Sequence, residues 1–320
     1  MNQKETVINV KNLGIGVYTE QGNIQLTENI NFSLKKGEVY ALVGESGCGK
    51  SITAFSLMGL LPDNGYYHSG SIQFQSHEII NNHEQALMKL RGKEIAMIFQ
   101  EPAAAMNPLM TIRDHMLEVF VNHGLKKDEQ ACSEMLTLTG INDVPRVMKS
   151  YPHELSGGML QRVMISMALL LKPKVIIADE PTTALDVTIQ AQIMELLCKL
   201  QRDINCTVLL ITHNINLVAQ YAQRVAVMYA GRIVEEGRVQ DVLDSTRHPY
   251  TKALLEALPQ LTEESSLPKP IKGSVPSPHN YVAGCRFADR CSEKSHECSY
   301  AQRTIQLTES HSVQCSEVRL

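Results

Sequence analysis

The segment Gly44–Ser51 has the sequence Gly-Glu-Ser-Gly-Cys-Gly-Lys-Ser and constrains the fold of this chain more than any other feature. It follows the apolar run Val39–Val43, which is typical of a buried parallel strand, and it precedes an apolar-periodic stretch that predicts a helix to about Leu61. Glycines let successive backbone N–H groups point at one place, where a helix N-terminus adds partial positive charge. The segment therefore predicts a loop that binds the phosphates of a nucleotide.

The polar side chains of this loop have distinct expected roles. Lys50 would place its charge on the β- and γ-phosphates, and the Ser51 hydroxyl would ligate Mg²⁺. We interpret Cys48 as a tolerated small residue and not as a nucleophile. A glycine-rich turn with a chance lysine is the alternative, and the flanking strand and helix argue against it. The residues predicted to contact the nucleotide here are Gly44, Glu45, Ser46, Gly47, Cys48, Gly49, Lys50 and Ser51.

Two further strands run into polar residues that suit phosphate chemistry. Val175–Ala178 leads into Asp179 and Glu180, and Thr207–Thr212 leads into His213. We expect Asp179 to act on the Mg²⁺ side and Glu180 to polarise the attacking water as general base. If the strands are parallel, His213 would lie at the same sheet edge, where the γ-phosphate is handled; a structural histidine is the alternative.

Strands alternate with helices along much of the chain, which predicts an α/β fold with a mostly parallel sheet. The alternation breaks at about residues 102–170, where the pattern is helical, and we interpret this stretch as a helical insertion. The other predicted elements are strands at Val7–Val10 and Ile95–Phe99 and helices at Thr111–His123, Lys127–Thr139 and Thr188–Asp203.

Composition limits the function classes. The 320 residues include 30 Lys and Arg against 34 Asp and Glu, a net charge of −4. This mild acidity argues against a nucleic-acid binder, which needs a basic face. No apolar stretch approaches the ~18 residues of a membrane span. The start, Met1–Thr6, lacks the charged-then-apolar order of a signal peptide. We therefore expect a cytosolic protein that reaches a membrane only through a partner.

The end of the chain differs in composition from the rest. Leu267–Pro270 and Val275–Pro278 predict a linker rich in Pro and Ser. The last four of the eight cysteines follow it, at Cys285, Cys291, Cys298 and Cys315. Their spacing is not that of zinc ribbons or of the common ferredoxin runs, and four free thiols are the alternative to a metal site. We expect one domain at 1–258 and a linker with a Cys-rich module at 259–320.

Motifs in a fixed order resemble the ATP-binding subunit of an ABC transporter. The order is the loop Gly44–Ser51, then the signature Leu155–Met159, then Asp179-Glu180, then His213. The signature usually ends in Gln and not in Met159. Three further matches are Gln100 in the Q-loop, Ala184-Leu185-Asp186 in the D-loop, and Tyr18 where the family places an aromatic that stacks on adenine.

Two of these matches have qualifications. For Tyr18, an exposed tyrosine at a strand end is the alternative. Asn214 departs from the family, which commonly has Asp after the histidine, and this puts the orientation of His213 in doubt.

Longer strings resemble the oligopeptide/dipeptide importer ATPases, in which Met159 is an ordinary variant. The strings are Gln100–Pro102 with Met106–Pro108, Tyr151–Met159, Asp179–Gln192, His248–Leu255 and Gly284–Cys291. The resemblance implies a P-loop NTPase of ABC type with a mostly parallel sheet, an antiparallel β part, a helical insertion and a small Cys-rich C-terminal extension. It also implies that part of the tail holds a [4Fe–4S] cluster through Cys285, Cys291, Cys298 and Cys315.

The resemblance implies ATP and Mg²⁺ as cofactors, with Ser51, Gln100 and Asp179 on the metal. Glu180, His213 and Gln100 would be catalytic. Two ATPase subunits would face head to tail, so that Ser156, Gly157 and Gly158, with Asp186, act at the shared interface.

The implied partners are a second ATPase subunit, commonly a paralogue, two permease subunits and an extracytoplasmic binding protein, with no nucleic acid. The chain would be peripheral to the cytoplasmic face of the membrane and would energise peptide import. Import of nickel or a metallophore, and a soluble non-transport ABC ATPase, are the alternatives. A P-loop kinase or GTPase has no use for Leu155–Met159.

Overall fold

The computed structural model describes residues 5–20, 22–183, 185–257 and 270–318. The strands are β1 (Thr6–Thr19), β2 (Gly22–Lys35), β3 (Val39–Val43), β4 (Gly65–Phe74), β5 (His77–Glu78), β6 (Ile95–Ile98), β7 (Val175–Asp179), β8 (Thr207–Thr212), β9 (Arg224–Tyr229), β10 (Arg232–Arg238), β11 (Ile305–Thr308) and β12 (His311–Val313). The α-helices are α1 (Lys50–Ser56), α2 (Glu84–Leu90), α3 (Ile112–Asn122), α4 (Glu129–Leu138), α5 (Val144–Lys149), α6 (Gly157–Leu169), α7 (Val187–Ile204), α8 (Ile215–Tyr221), α9 (Val239–Asp244) and α10 (Pro249–Glu256). Short 3₁₀ turns lie at Pro152–Glu154, Pro278–Asn280, Ala288–Arg290 and His296–Ser299.

The described residues form two compact units. The first unit comprises 5–7, Leu34–Glu38 and the described part of Asn81–Ile211. The second unit comprises Ile8–Ser33, Val39–Ile80 and the described residues from Thr212 onward.

In the first unit, β6, β7 and β8 form parallel pairs whose residues are almost all buried. Short runs of β-branched and other apolar residues produce such strands when both faces of the sheet are covered. Helices α3 to α6 pack on one another after β6. Polar side chains cap their first turns, since Thr111, Asp128, Asp143 and Ser156 each accept a backbone N–H bond. The predicted parallel strands and the helical insertion are confirmed.

In the second unit, β3 pairs in parallel with β9, and β9 continues through antiparallel pairs to β10, β12 and β11. A separate sheet has the strand order β2-β1-β4-β5, in which β1 and β4 are antiparallel. The aromatic side chains of Tyr229, Tyr250 and Phe287 pack together in the core, with ring centroids 4.5–5.3 Å apart.

The C-terminal segment is part of the second unit and does not stand apart as the expected Cys-rich extension. Phe287 is 2% exposed in the core of this unit, and β12 extends its sheet through Glu235 and Glu236 of β10. The expectation of a separate extension is therefore not supported. The predicted linker string Leu267–Pro270 lies largely outside the described residues, so the division at residue 258 stays a prediction.

Helix α1 ends at Ser56 and not near Leu61, because Gly59 has a left-handed backbone (φ 65°) and the N–H of Gly59 bonds to the carbonyl of Ser56. Strand β1 is much longer than Val7–Val10. In the part of the chain that is described, no helix is both long and apolar enough to cross a membrane.

Candidate nucleotide site

In the second unit, the phosphate loop Gly44–Ser51 surrounds Lys50, the residue that is predicted to contact the β- and γ-phosphates. Lys50 is 5% exposed, and its Nζ donates to the carbonyls of Gly44 (2.8 Å) and Glu45 (3.0 Å). A Cβ on Gly44 would lie 2.1 Å from the Met228 carbonyl oxygen, and Gly49 has φ 105°. Only glycine fits the close approach at Gly44 without a shift in β9, and the left-handed backbone at Gly49 favours it too. This tight, cationic loop fits a polyphosphate.

Cys48 faces the interior of the loop. Burial is the main cause that raises the pKa of its thiol, although the nearby Lys50 ammonium opposes the rise. A raised pKa favours the protonated thiol at neutral pH, which is a poor nucleophile. Ser46 and Gly47 are exposed at the tip, and Ser51 is half-buried at the start of α1.

Tyr18 is 55% exposed and stacks on Tyr66, with ring centroids 4.4 Å apart and an interplanar angle of 27°. Stacking on Tyr66 orients Tyr18 and leaves part of its surface free for another flat ring. Tyr66 could not be predicted from the sequence, because no local pattern in its strand pairs it with Tyr18.

His213 directly follows β8 and is exposed. Asn214 caps α8: its side chain accepts from the N–H of Asn216 (3.0 Å), and its own N–H donates to the Thr212 hydroxyl (3.0 Å). Asn and Asp serve equally at an N-cap. The departure at Asn214 is therefore compatible with the backbone turn that presents His213.

In the first unit, Glu180 follows β7 with a left-handed backbone (φ 45°). Its N–H donates to the Ile211 carbonyl (2.9 Å), and its Oε2 accepts from Thr183 Oγ1 (2.7 Å) and Gln100 Nε2 (3.4 Å). The structure thus brings two predicted residues, Gln100 and Glu180, together. Thr183 was missed, although a hydroxyl three residues after a carboxylate in a turn is a usable signal.

The signature segment begins α6, where Ser156 Oγ accepts from the N–H of Met159 (3.4 Å). Ser156 and Gly157 are exposed. A Cβ on Gly157 would meet Leu185 at 3.6 Å. Asp186 caps α7 by accepting from the N–H of Ile189 (3.0 Å). The signature therefore presents a helix N-terminus to solvent beside the D-loop, of which Ala184 lies outside the described residues.

The four C-terminal cysteines lie near one another. The Cys285 N–H donates to the Cys298 carbonyl (2.8 Å). Burial, and then the nearby thiols of Cys298, Cys315 and Cys291, raise the pKa of Cys285 to about 11. All four are free. Among the described residues, however, no group of three or more His, Cys, Asp or Glu side chains is arranged to hold a metal ion, so the predicted cluster does not fit this arrangement.

Comparison with known proteins agrees with this geometry. A family profile described as "ABC transporter" matches residues 27–183, and one described as "Oligopeptide/dipeptide transporter, C-terminal region" matches residues 234–298. The chain is 44% identical to the dipeptide transport ATP-binding protein DppD of Bacillus subtilis, over 97% of this chain and 94% of that protein. It is 45% identical to the oligopeptide transport ATP-binding protein OppD of Escherichia coli, over 93% and 89%.

A solved structure gives the same result for the fold. The ATP-binding cassette MJ0796, in a dimeric post-hydrolysis state bound to ADP and Pi, superposes with a TM-score of 0.65 at 27% identity, covering 72% of this chain and 98% of that one. The predicted P-loop fold of ABC type is confirmed. This chain belongs to the ABC transporter family of ATP-hydrolysing, ATP-binding proteins, in its oligopeptide/dipeptide branch.

Proposed function

We propose that this chain binds MgATP and hydrolyses it to energise the import of dipeptides or oligopeptides across the cytoplasmic membrane. The observation that carries the proposal is the 44–45% identity to dipeptide and oligopeptide transport ATP-binding proteins over 93–97% of the chain. The loop around Lys50 and the carboxylate of Glu180 supply the chemistry that such a role needs.

Each unit contributes residues with proposed roles at the nucleotide. In the second unit, the loop binds the phosphates, Tyr18 stacks on adenine and His213 acts at the γ-phosphate. In the first unit, Glu180 polarises water, and its bonds to Gln100 and Thr183 support this role. The proposed magnesium ligands are Ser51, Gln100 and Asp179, and the proposed contacts to a partner's nucleotide are Ser156, Gly157, Gly158 and Asp186.

The proposed assembly has two cassettes, two permease subunits and an extracytoplasmic binding protein, with this chain peripheral to the cytoplasmic face. ATP would select the closed state of the pair, and hydrolysis would reopen it. The exposed N-terminus of α6 supports the shared site, since it offers N–H groups to an anion outside its own chain. The helical insertion would carry the motion to the permeases.

A [4Fe–4S] cluster on Cys285, Cys291, Cys298 and Cys315 stays a prediction. The four cysteines lie near one another, but no group of side chains among the described residues is arranged to hold a metal ion. No step of the proposed mechanism uses it. Absorbance near 400 nm after anaerobic purification, lost on substitution of Cys298, would support the cluster.

Uptake by cells that lack the gene tests the proposal. Cells complemented with the wild-type chain should take up a labelled dipeptide or oligopeptide, whereas cells complemented with Lys50→Ala should not. A matched control is Lys199→Ala on the solvent-exposed side of α7, which should complement fully. Uptake of nickel and not of peptides would assign the chain to a metal importer, and restoration of neither would contradict a role in import.

A further inference from the structure

The C-terminal segment contacts the phosphate loop directly, within the second unit. Arg290 forms two parallel bonds with Glu45, from Nη1 to Oε1 (2.9 Å) and from Nη2 to Oε2 (3.1 Å). Its Nε donates to the Lys272 carbonyl (2.8 Å), and 6% of its side chain is exposed. A bidentate guanidinium–carboxylate pair on a buried arginine fixes the geometry of both side chains.

Glu45 is linked to the same segment through its backbone. Its N–H donates to the Tyr250 hydroxyl (2.9 Å), and its carbonyl accepts from Lys50 Nζ (3.0 Å). Tyr250 in turn packs on Phe287, with ring centroids 5.3 Å apart. A shift of the C-terminal segment would therefore displace Glu45, whose carbonyl accepts a bond from Lys50.

A second arginine supports the back of the loop. Arg286 pairs with Glu28 and donates to the Ala230 carbonyl. The next residue, Gly231, donates its N–H to the Cys48 carbonyl inside the loop (2.8 Å). Arg286 thus supports the loop indirectly, through Ala230 and Gly231, in addition to the direct pair between Arg290 and Glu45.

Charge gives Arg290 a specific effect on an anionic ligand. Glu45 places a carboxylate on the loop that is proposed to receive a polyphosphate, and like charges close to one another repel. With Arg290 paired to it, the carboxylate is neutralised and turned toward the C-terminal segment. Without Arg290, an unpaired negative charge would remain beside the phosphates.

We propose that Arg290 is a positioning residue for nucleotide binding, which neutralises and orients Glu45 so that the C-terminal segment sets the affinity of the phosphate loop for ATP. The inference rests on the proposed function, because it deepens the role of the same loop. It concerns ATP affinity more than the hydrolytic step, since Arg290 contacts Glu45 and not the residues proposed to act on water.

The test measures the Kd of MgATP, and KM and kcat for hydrolysis, on the purified full chain assembled with its partner cassette. We expect Arg290→Ala to raise Kd about tenfold, roughly the effect of losing one charge-assisted contact. Arg290→Lys should retain part of the affinity for MgATP, because lysine keeps the positive charge but cannot form the bidentate pair with Glu45. The double variant Arg290→Ala/Glu45→Gln should bind more tightly than Arg290→Ala alone, because the unpaired charge is gone.

The matched control is Lys294→Ala, which removes a cation of the same segment whose partner, Asp289, is 94% exposed. It should bind ATP as the wild type does. A folded Arg290→Ala protein with unchanged Kd, or a double variant no better than the single one, would overturn the inference. If Arg290→Ala fails to fold, Arg290→Lys carries the test, and an unchanged Kd there would count against the inference. A wild-type chain that binds no ATP would instead overturn the proposed function.

Discussion

Replacing Glu180 by glutamine should separate ATP binding from ATP hydrolysis. The glutamine carbonyl can still accept the bonds from Thr183 (2.7 Å) and Gln100 (3.4 Å), and glutamine is as able as glutamate to adopt φ 45°. Fold and ATP affinity should therefore persist. What is lost is the proposed proton acceptor, and a positioned general base contributes roughly 10²–10⁴ in rate. That range corresponds to ~3–5.5 kcal/mol of activation free energy.

A second substitution calibrates this magnitude. Thr183→Val keeps the shape of the side chain but removes the hydroxyl that holds Glu180 Oε2. A hydrogen bond to a charged group contributes ~1.5–3 kcal/mol of stabilisation. Because Glu180 and Thr183 are only half-buried, we expect a value at the low end of this range. We therefore expect a fall in kcat of about tenfold, which is smaller than that for Glu180→Gln.

The assay is phosphate release at saturating ATP, with Kd measured in parallel. Glu195→Gln, an exposed position on α7 of the same unit, is the charge-matched control and should hydrolyse ATP at the wild-type rate. Wild-type turnover in Glu180→Gln would remove Glu180 from its role. A larger loss in Thr183→Val than in Glu180→Gln would refute the reasoning about orientation.

Three further predictions concern the loop and the C-terminal segment. Gly44→Ala should weaken ATP binding at least tenfold without unfolding the chain, because its Cβ would lie 2.1 Å from the Met228 carbonyl; ATP titration and a thermal melt check this, and unchanged affinity would contradict it. His311→Ala should lower the free energy of unfolding by about 2 kcal/mol, because it deprives the fully buried Glu235 carboxylate of a partner at 2.8 Å; denaturant unfolding measures it, and a change near zero would refute it. Alkylation of Cys285 should be slow at neutral pH and rise as pH approaches about 11, since burial raises the pKa of its thiol; mass spectrometry follows it, and fast labelling at pH 7 would contradict the raised pKa.

The sequence predicts those strands and helix ends that depend only on neighbouring residues. Runs such as Val39–Val43 and Thr207–Thr212 predict buried strands because every residue in them is apolar or β-branched, and the structure has both at those bounds. The N-cap of α6 also has a local cause, since the Ser156 side chain accepts its bond from Met159, three residues further along the chain.

Features that depend on distant residues could not be predicted in this way. The pairing of β12 with β10 and the bidentate bond from Arg290 to Glu45 join residues far apart in sequence, so neither leaves a local pattern. The C-terminal cysteines give rise to an expectation that the structure does not support. Their crowding predicted a separate module, whereas Phe287 and β12 anchor the segment in the second unit.

The most direct test of the account is where each ATP of a cassette pair is bound. We propose to form pairs in which this chain alone carries Ser156→Arg and to measure photolabelling by an ATP analogue at each phosphate loop. We expect labelling of the partner's loop to fall, whereas labelling at Lys50 of this chain should persist. The opposite asymmetry, or hydrolysis at full rate by a monomer of this chain, would contradict it.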